Sequence, residues 1–151
     1  MAGCLAKRLK ARNLGVVVLD GDELRAALDS FQYDIDSRKA LARIYGRLAL
    51  TFSRQGLVVI CATVSMFHDI QSWNRENIPE YFEVYIKIPH SLREVRDKKQ
   101  LIADARADRA QHVHGLDLQI EEPKNPDFMF TNKFTDPPEA IARKIQEKIG
   151  L

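Results

Sequence analysis

Four stretches of the chain are rich in apolar and β-branched residues, and they lie at 16–19, 57–62, 82–88 and 128–131. The first ends at the turn signal Asp20-Gly21, and the third ends at Pro89. The second is apolar throughout, which is typical of a parallel strand covered on both faces by helices. The pattern predicts four strands.

The segments around these runs have helical spacing. From 37 to 55 the apolar residues recur on one helix face, and Gly56 is predicted to end that helix. Further helices are predicted over 68–78 and 98–108, and a last one has Asp136 as N-cap and Pro137 at its first position. This alternation of strands and helices predicts an α/β fold with a parallel sheet, in a single domain over residues 1–151.

The composition is that of an ordinary globular protein and does not point to a particular function. The 151 residues include 45% hydrophobic and 29% charged residues, as in ordinary globular domains. A net charge of +2 gives no reason to expect nucleic acid or a membrane surface as partner. No apolar run is long enough for a bilayer, and two cysteines, Cys4 and Cys61, indicate a reducing compartment. We therefore expect a cytoplasmic location.

Candidate chemistry lies just after the predicted strands, because ligands of open α/β sheets bind at the carboxyl ends of the strands. The first strand is followed by two carboxylates and a guanidinium, on Asp20, Asp22 and Arg25. Such a set could hold a hydroxyl or Mg²⁺ together with an anionic substrate. It fits equally well a turn followed by a helix start, so both interpretations stay open.

Two other strand ends carry polar residues. Ser65 follows the second strand, where it could contact a ligand or serve as N-cap of the next helix, and the N-cap is favoured. The third strand is followed by a basic cluster, Arg93, Arg96, Lys98 and Lys99. That cluster suits a phosphate-rich ligand, although charges on helices are commonly just solvated.

Five segments in chain order resemble the adenylylsulfate kinases. They are Asp-Gly-Asp-Glu-Leu-Arg at 20–25, Tyr-Asp-Ile-Asp-Ser-Arg at 33–38, Val-Ser-Met-Phe at 64–67, Arg-Asp-Lys-Lys-Gln-Leu-Ile at 96–102 and Gly-Leu-Asp through Pro-Asp at 115–127. The resemblance covers nearly the whole chain. It implies a P-loop NTPase-like three-layer sandwich with a parallel sheet. It also implies transfer of the ATP γ-phosphate to the 3′-hydroxyl of adenylylsulfate or a related nucleotide, an activity of sulfate assimilation.

The same resemblance assigns residues to the acceptor side. Asp22 would approach the accepting hydroxyl and Mg²⁺, and Asp20 would support it. Arg25 and Arg38 would hold the charged linkage of the acceptor. The backbone around Val64, Ser65 and Phe67 would line the nucleoside.

On the donor side, the resemblance assigns ATP to a lid and a wall. Arg96 would bind the phosphates with a lid that runs from Lys99 to residue 115. Pro123 and Asn125 would wall the ATP base. The implied cofactors are ATP and Mg²⁺, the partner is a small-molecule nucleotide, and the family habit implies a homodimer.

The chain departs from the family pattern at its start. No G-x-x-x-x-G-K-[ST] stretch occurs in it, so the phosphate-binding loop and the first strand are expected to be missing from an N-terminally truncated domain. Phosphoryl transfer depends mainly on positioned charges, so we expect weak or no activity and marginal stability. A start codon assigned too late, a gene truncation and a form retained for binding are the competing explanations.

Other departures affect the choice of acceptor. Leu41 stands where the family has asparagine, and His68 and Gln71 stand where it has arginines. Segment 65–77 resembles a subgroup that includes the cytidine diphosphoramidate kinases, so a CDP-linked amidate is a second candidate acceptor. A catalytically dead nucleotide-binding or oligomerisation domain, and a kinase fragment acting on another small hydroxyl compound, are the alternatives.

Overall fold

The computed structural model describes residues 1–89, Leu92 and 121–151. The helices in this part are α1 (Ala2–Lys10), α2 (Gly21–Ala27), α3 (Ile35–Ser53), α4 (His68–Asn77) and α5 (Pro138–Ile149). The strands are β1 (Val16–Asp20), β2 (Val58–Ala62), β3 (Val84–Lys87) and β4 (Phe128–Thr131). All four predicted strands are present. The helix predicted over 98–108 and the basic cluster at 93–99 lie outside the described residues.

The described strands form two parallel pairs. β1 lies beside β2 with Val16 opposite Val58 and Asp20 opposite Ala62. β3 lies beside β4 with Val84 opposite Phe128. Parallel pairing confirms the predicted sheet type, and it brings the carboxyl ends of β1 and β2 to the same edge.

One helix layer, made by α1 and α5, covers both strand pairs. Its buried centre consists of Leu5, Leu9, Ile141, Ala142 and Ile145. Side chains from both pairs pack against this centre, among them Val58 and Ile60 of β2, Val84 of β3, and Phe128 and Phe130 of β4. The two strand pairs therefore share one hydrophobic core with α1 and α5.

The opposite face of the first strand pair is covered by a second helix layer. Successive strand residues point to opposite faces, so the buried Leu19 faces away from Val16 and from the α1–α5 layer. On this side α3 contacts β2, and a small buried cluster joins α3 to α4 through Ala42, Phe67 and Ile70. None of the helices in the described part of the chain is long and apolar enough to cross a membrane.

Two predicted helix boundaries, the end of α3 and the start of α5, can be compared with the structure. Gly56 has φ +79°, which confirms that a glycine-type turn follows α3. The prediction for the last helix is wrong by one residue, since its N-cap is Pro137 and not Asp136. The residue before a proline is held in extended conformations, so Pro137 (ψ 148°) stays outside the helix and Pro138 begins it.

Arg75 of α4 joins this helix to the beginnings of β3 and β4. Its guanidinium donates to both carboxylate oxygens of Asp127, at 2.9 and 3.2 Å, and to Glu83 at 3.3 Å. Asp127 also accepts the backbone N–H of Glu83 at 2.7 Å. The hydrogen bonds from Arg75, together with that N–H, hold the pKa of Asp127 below its ordinary value of 3.8.

We expect Asp127→Asn to lower the free energy of unfolding at neutral pH, because it removes the charge that Arg75 binds. The expected loss is only about 1 kcal/mol, because the ion pair is partly exposed to solvent. Folding lowers the pKa of this carboxyl, so the carboxylate stabilises the folded protein fully at pH values above its unfolded pKa of 3.8. This stabilisation is lost as the pH falls through the lower pKa of the folded state. Urea unfolding of both proteins below about pH 4 should therefore show the difference shrinking. Asp69→Asn, which removes the exposed ion pair with Arg43, is the control, and a difference for Asp127→Asn that is constant with pH would contradict the prediction.

Candidate functional site

A cavity of about 230 Å³ opens at the carboxyl ends of β1 and β2. It is lined by residues from the end of β1 and from α2, from the start and middle of α3, and from the segment after β2. These residues are Asp20, Gly21, Asp22, Arg25, Tyr33, Arg38, Leu41, Tyr45, Ala62, Thr63, Val64 and Ser65. The cavity lies at the sheet edge where ligands of α/β folds bind.

The two carboxylates of the cavity differ in their local roles. Asp20 is the N-cap of α2, and its Oδ1 accepts the backbone N–H of Asp22 at 3.0 Å and of Glu23 at 3.4 Å. The interpretation of this segment as a turn with a helix start is therefore confirmed for Asp20. Asp22 lies in the first turn of α2 and lines the cavity as well. The interpretation of the segment as a ligand site stays a prediction, and the place of Asp22 at the cavity is compatible with it.

Two arginines lie against the Tyr33 ring. The guanidinium carbon of Arg25 is 4.6 Å from the ring centroid, and that of Arg38 is 5.4 Å from it. The aromatic face attracts both cations and holds them in one region. Arg25 also donates to the carbonyl of Gln32 at 2.9 Å, and Arg38 donates to the carbonyl of Tyr33 at 2.7 Å. The loop before α3 therefore fixes both side chains at the cavity.

The floor of the cavity comes from α3. Leu41 and Tyr45 lie one helical turn apart on the face turned to the strands, and both are buried. The Tyr45 hydroxyl donates to the Gly21 carbonyl at 3.5 Å, and burial raises the pKa of this tyrosine above 10.0. The hydroxyl accordingly stays protonated at neutral pH. The sequence pattern indicated only that Tyr45 shares a helix face with Leu41, and it did not indicate a place at the cavity.

The wall of the cavity is the segment after β2. Thr63 and Ser65 hydroxyls lie 3.1 Å apart, and Val64 is 58% exposed beside them. The prediction that Ser65 caps the next helix is wrong. Helix α4 begins at His68, its N-cap is Phe67, and Phe67 makes no capping hydrogen bond with its side chain. Phe67 itself is 2% exposed and packs in the core, so its side chain is not part of the cavity lining.

The predicted donor-side residues are apart from this cavity or outside the described part of the chain. Pro123 and Asn125 lie in the stretch before β4, and the Asn125 carbonyl accepts a bond from Arg75 at 3.4 Å. Neither lines the cavity. Arg96 and Lys99, with the predicted lid to residue 115, lie outside the described residues.

The carboxylates of the cavity are the candidate ligands for Mg²⁺. Within residues 1–89 and 121–151, no three His, Cys, Asp or Glu side chains are grouped as a metal cage. Magnesium in phosphoryl-transfer sites is commonly held by one or two carboxylates together with substrate phosphates, so a cage is not required. Asp22 has the right oxygen chemistry for that arrangement, whereas Oδ1 of Asp20 already accepts two amides.

Comparisons with known proteins identify the family and the fold of the chain. The sequence profile of the adenylylsulphate kinase family matches residues 1–131. Over 148 residues the chain is 32% identical to the cytidine diphosphoramidate kinase of Campylobacter jejuni (97% of this chain, 86% of that protein) and 32% identical to the adenylyl-sulfate kinase of Bacillus velezensis (96% and 75%). The structure of Mycobacterium tuberculosis APS kinase CysC in complex with AMPPNP and APS matches with a TM-score of 0.89 at 26% identity, over 99% of this chain and 88% of that one. This match confirms the predicted fold class.

Proposed function

The chain belongs to the adenylylsulphate kinase family, and on that premise we propose that its cavity binds the nucleotide that accepts a phosphoryl group from ATP. One observation carries the proposal. A single cavity at the strand ends is lined by two carboxylates, Asp20 and Asp22, and by two guanidiniums, Arg25 and Arg38. The first pair suits a hydroxyl that must lose a proton, and the second suits an anionic linkage.

The arginines would bind the charged linkage of the acceptor. Both guanidiniums line the same cavity, and an anion bound there would be attracted by both. The contacts to the loop carbonyls and to the Tyr33 ring keep both side chains in place before the nucleotide arrives. Little ordering of these side chains would then be required on binding.

Asp22 would orient the accepting hydroxyl and take its proton while the hydroxyl oxygen bonds to the γ-phosphorus of ATP. The bond from that phosphorus to the bridging oxygen breaks, and ADP leaves with the electron pair. Asp20 supports this arrangement by fixing the first turn of α2, which carries Asp22. Mg²⁺, when bound with ATP at Asp22, would neutralise charge that develops on the phosphates.

Two acceptors are proposed for the cavity. Adenylylsulfate is the acceptor implied by the family, with its 3′-hydroxyl as the site of transfer. A CDP-linked amidate is the second, since the chain is as similar to the cytidine diphosphoramidate kinase of Campylobacter jejuni as to the adenylyl-sulfate kinase of Bacillus velezensis, at 32% identity to each. The apolar Leu41 in the cavity floor also favours an acceptor other than adenylylsulfate, because it removes a polar group that could contact the sulfated linkage.

Binding of the acceptor and transfer from ATP are separate properties of such a site. The residues that line the cavity belong to the acceptor side, so acceptor binding is the property that tests them most directly. A nucleotide-binding domain without transfer is the alternative function.

Calorimetric titration with adenylylsulfate and, separately, with cytidine diphosphoramidate tests the proposal. We expect one of them to bind with one site per chain. Asp22→Asn should leave this binding within a few-fold, and it should lower any transfer from ATP by about 10²- to 10⁴-fold because the proton acceptor is lost. Asp69→Asn, on the outer surface of α4, should change neither property. Binding of neither nucleotide would overturn the proposed function.

A homodimer, which the family resemblance implies, is proposed as the state of the chain in solution. Sedimentation equilibrium at several concentrations distinguishes a dimer from a monomer by mass. A monomer at every concentration would contradict this part of the proposal and leave the assignment of the cavity untouched.

A further inference from the structure

The amino end of α4 is capped by a residue far away in the sequence. Phe67 is the N-cap and offers no side-chain oxygen, and the carboxylate of Glu121 takes this place. Its Oε2 accepts the backbone N–H of His68 at 2.6 Å, across 53 residues of sequence. This bond satisfies one of the amides that a helix start leaves without a partner.

Several further bonds fasten the same two segments to each other. The Glu121 N–H donates to the carbonyl of Met66 at 3.3 Å, and the Gln71 side chain donates to the carbonyl of Glu121 at 3.5 Å. The His68 ring nitrogen Nε2 lies 3.0 Å from the carbonyl of Glu122. Residues 121–122 therefore hold both the start of α4 and the backbone just before it.

The fastened segment is the continuation of the cavity wall. Thr63, Val64 and Ser65 lie between the end of β2, which is fixed by its pairing with β1, and Met66, which is held by Glu121. A short loop fixed at both ends has little freedom, whereas one released at one end must be ordered again when a ligand binds.

We propose that Glu121 is a positioning residue for the acceptor wall, acting through the amino end of α4 on residues 63–65. The inference rests on the proposed function, since it concerns the affinity of the same cavity. The side chains of His68 and Gln71 support it, because both contact residues 121–122.

The test compares Glu121→Ala, Glu121→Gln and Glu76→Ala. We expect Glu121→Ala to raise the Kd for the acceptor nucleotide about 2- to 30-fold, as follows from losing a helix cap that keeps the binding-competent loop populated. Glu121→Gln retains an acceptor oxygen for the His68 amide and should recover most of the loss. Glu76→Ala removes an exposed carboxylate from the same helix and should leave the Kd unchanged.

Two further measurements on Glu121→Ala distinguish a positioning role from a general loss of structure. They are the Kd for ATP and the amide chemical shifts of the ligand-free protein. A positioning role predicts that Glu121→Ala leaves the Kd for ATP unchanged, and that it shifts the amide signals of 63–65 as well as that of His68. The inference would be overturned if Glu121→Ala left the Kd for the acceptor unchanged. It would also be overturned if the variant lost as much affinity for ATP as for the acceptor. If the unsubstituted chain binds no acceptor, the proposed function fails, and the signals of 63–65 alone then decide whether Glu121 positions this wall.

Discussion

The double substitution Arg25→Ala with Arg38→Ala is expected to raise the Kd for the acceptor nucleotide about 10²- to 10⁴-fold. A hydrogen bond between a guanidinium and an anionic group contributes about 1.5–3 kcal/mol, which is about 10- to 100-fold for each arginine. Both side chains belong to one arrangement around Tyr33, so the two effects need not add. Each single variant should fall between the unsubstituted chain and the double variant.

The design must separate binding from folding, because both arginines also hold carbonyls of the loop before α3. Arg25→Lys and Arg38→Lys keep the charge and lose the planar fork, so we expect them to lose less affinity than the alanine variants. Arg43→Ala is the matched control. It removes a guanidinium from α3 whose ion pair with Asp69 is exposed and which does not line the cavity.

Calorimetric titration of these variants with the acceptor gives the result directly. If the double variant binds as tightly as Arg43→Ala does, the arginines have no part in recognition and the cavity is assigned wrongly. Thermal unfolding of each variant checks that the loss of affinity is not a loss of fold.

Leu9→Ala is expected to lower the free energy of unfolding by about 2–5 kcal/mol. Leu9 is 0% exposed and lies in the centre of the α1–α5 layer, against Ile141 and Ala142. Removing its side chain forfeits the transfer energy of the buried atoms and leaves a cavity. The effect should be large because this layer ties the two strand pairs together, so a gap in it weakens the packing of both.

The matched control is Leu28→Ala, the same chemical change at a side chain that is 43% exposed. We expect it to change the free energy of unfolding by no more than about 0.5 kcal/mol. Urea denaturation at one temperature measures both variants. Equal losses for Leu9 and Leu28 would contradict the description of the α1–α5 layer as the core.

The strands and the site were predictable from local sequence to a large extent. Continuous apolar runs mark strands covered on both faces, and the rule that ligands bind at carboxyl strand ends directs attention to Asp20, Asp22 and Arg25. Arg38 came from the resemblance and lies in the same cavity. These features depend on short segments, which is why they could be found without coordinates.

The features that were missed depend on contacts between distant segments. Ser65 has the composition of an N-cap, but the cap of α4 comes from Glu121, which no local pattern indicates. The burial of the Phe67 side chain follows from how α3 packs on α4. The apolar spacing of α3 includes Tyr45, and only the structure reveals that its hydroxyl donates to the carbonyl of Gly21.

We propose that the acceptor nucleotide binds in the cavity that Asp22, Arg25 and Arg38 line at the ends of β1 and β2. An amide NMR titration of the chain with adenylylsulfate and with cytidine diphosphoramidate tests this. We expect the largest shifts within 20–25, 33–41 and 62–65, and we expect the signals of α1 and α5 to stay unchanged. Shifts confined to α1 and α5, or no shifts with either nucleotide, would contradict it.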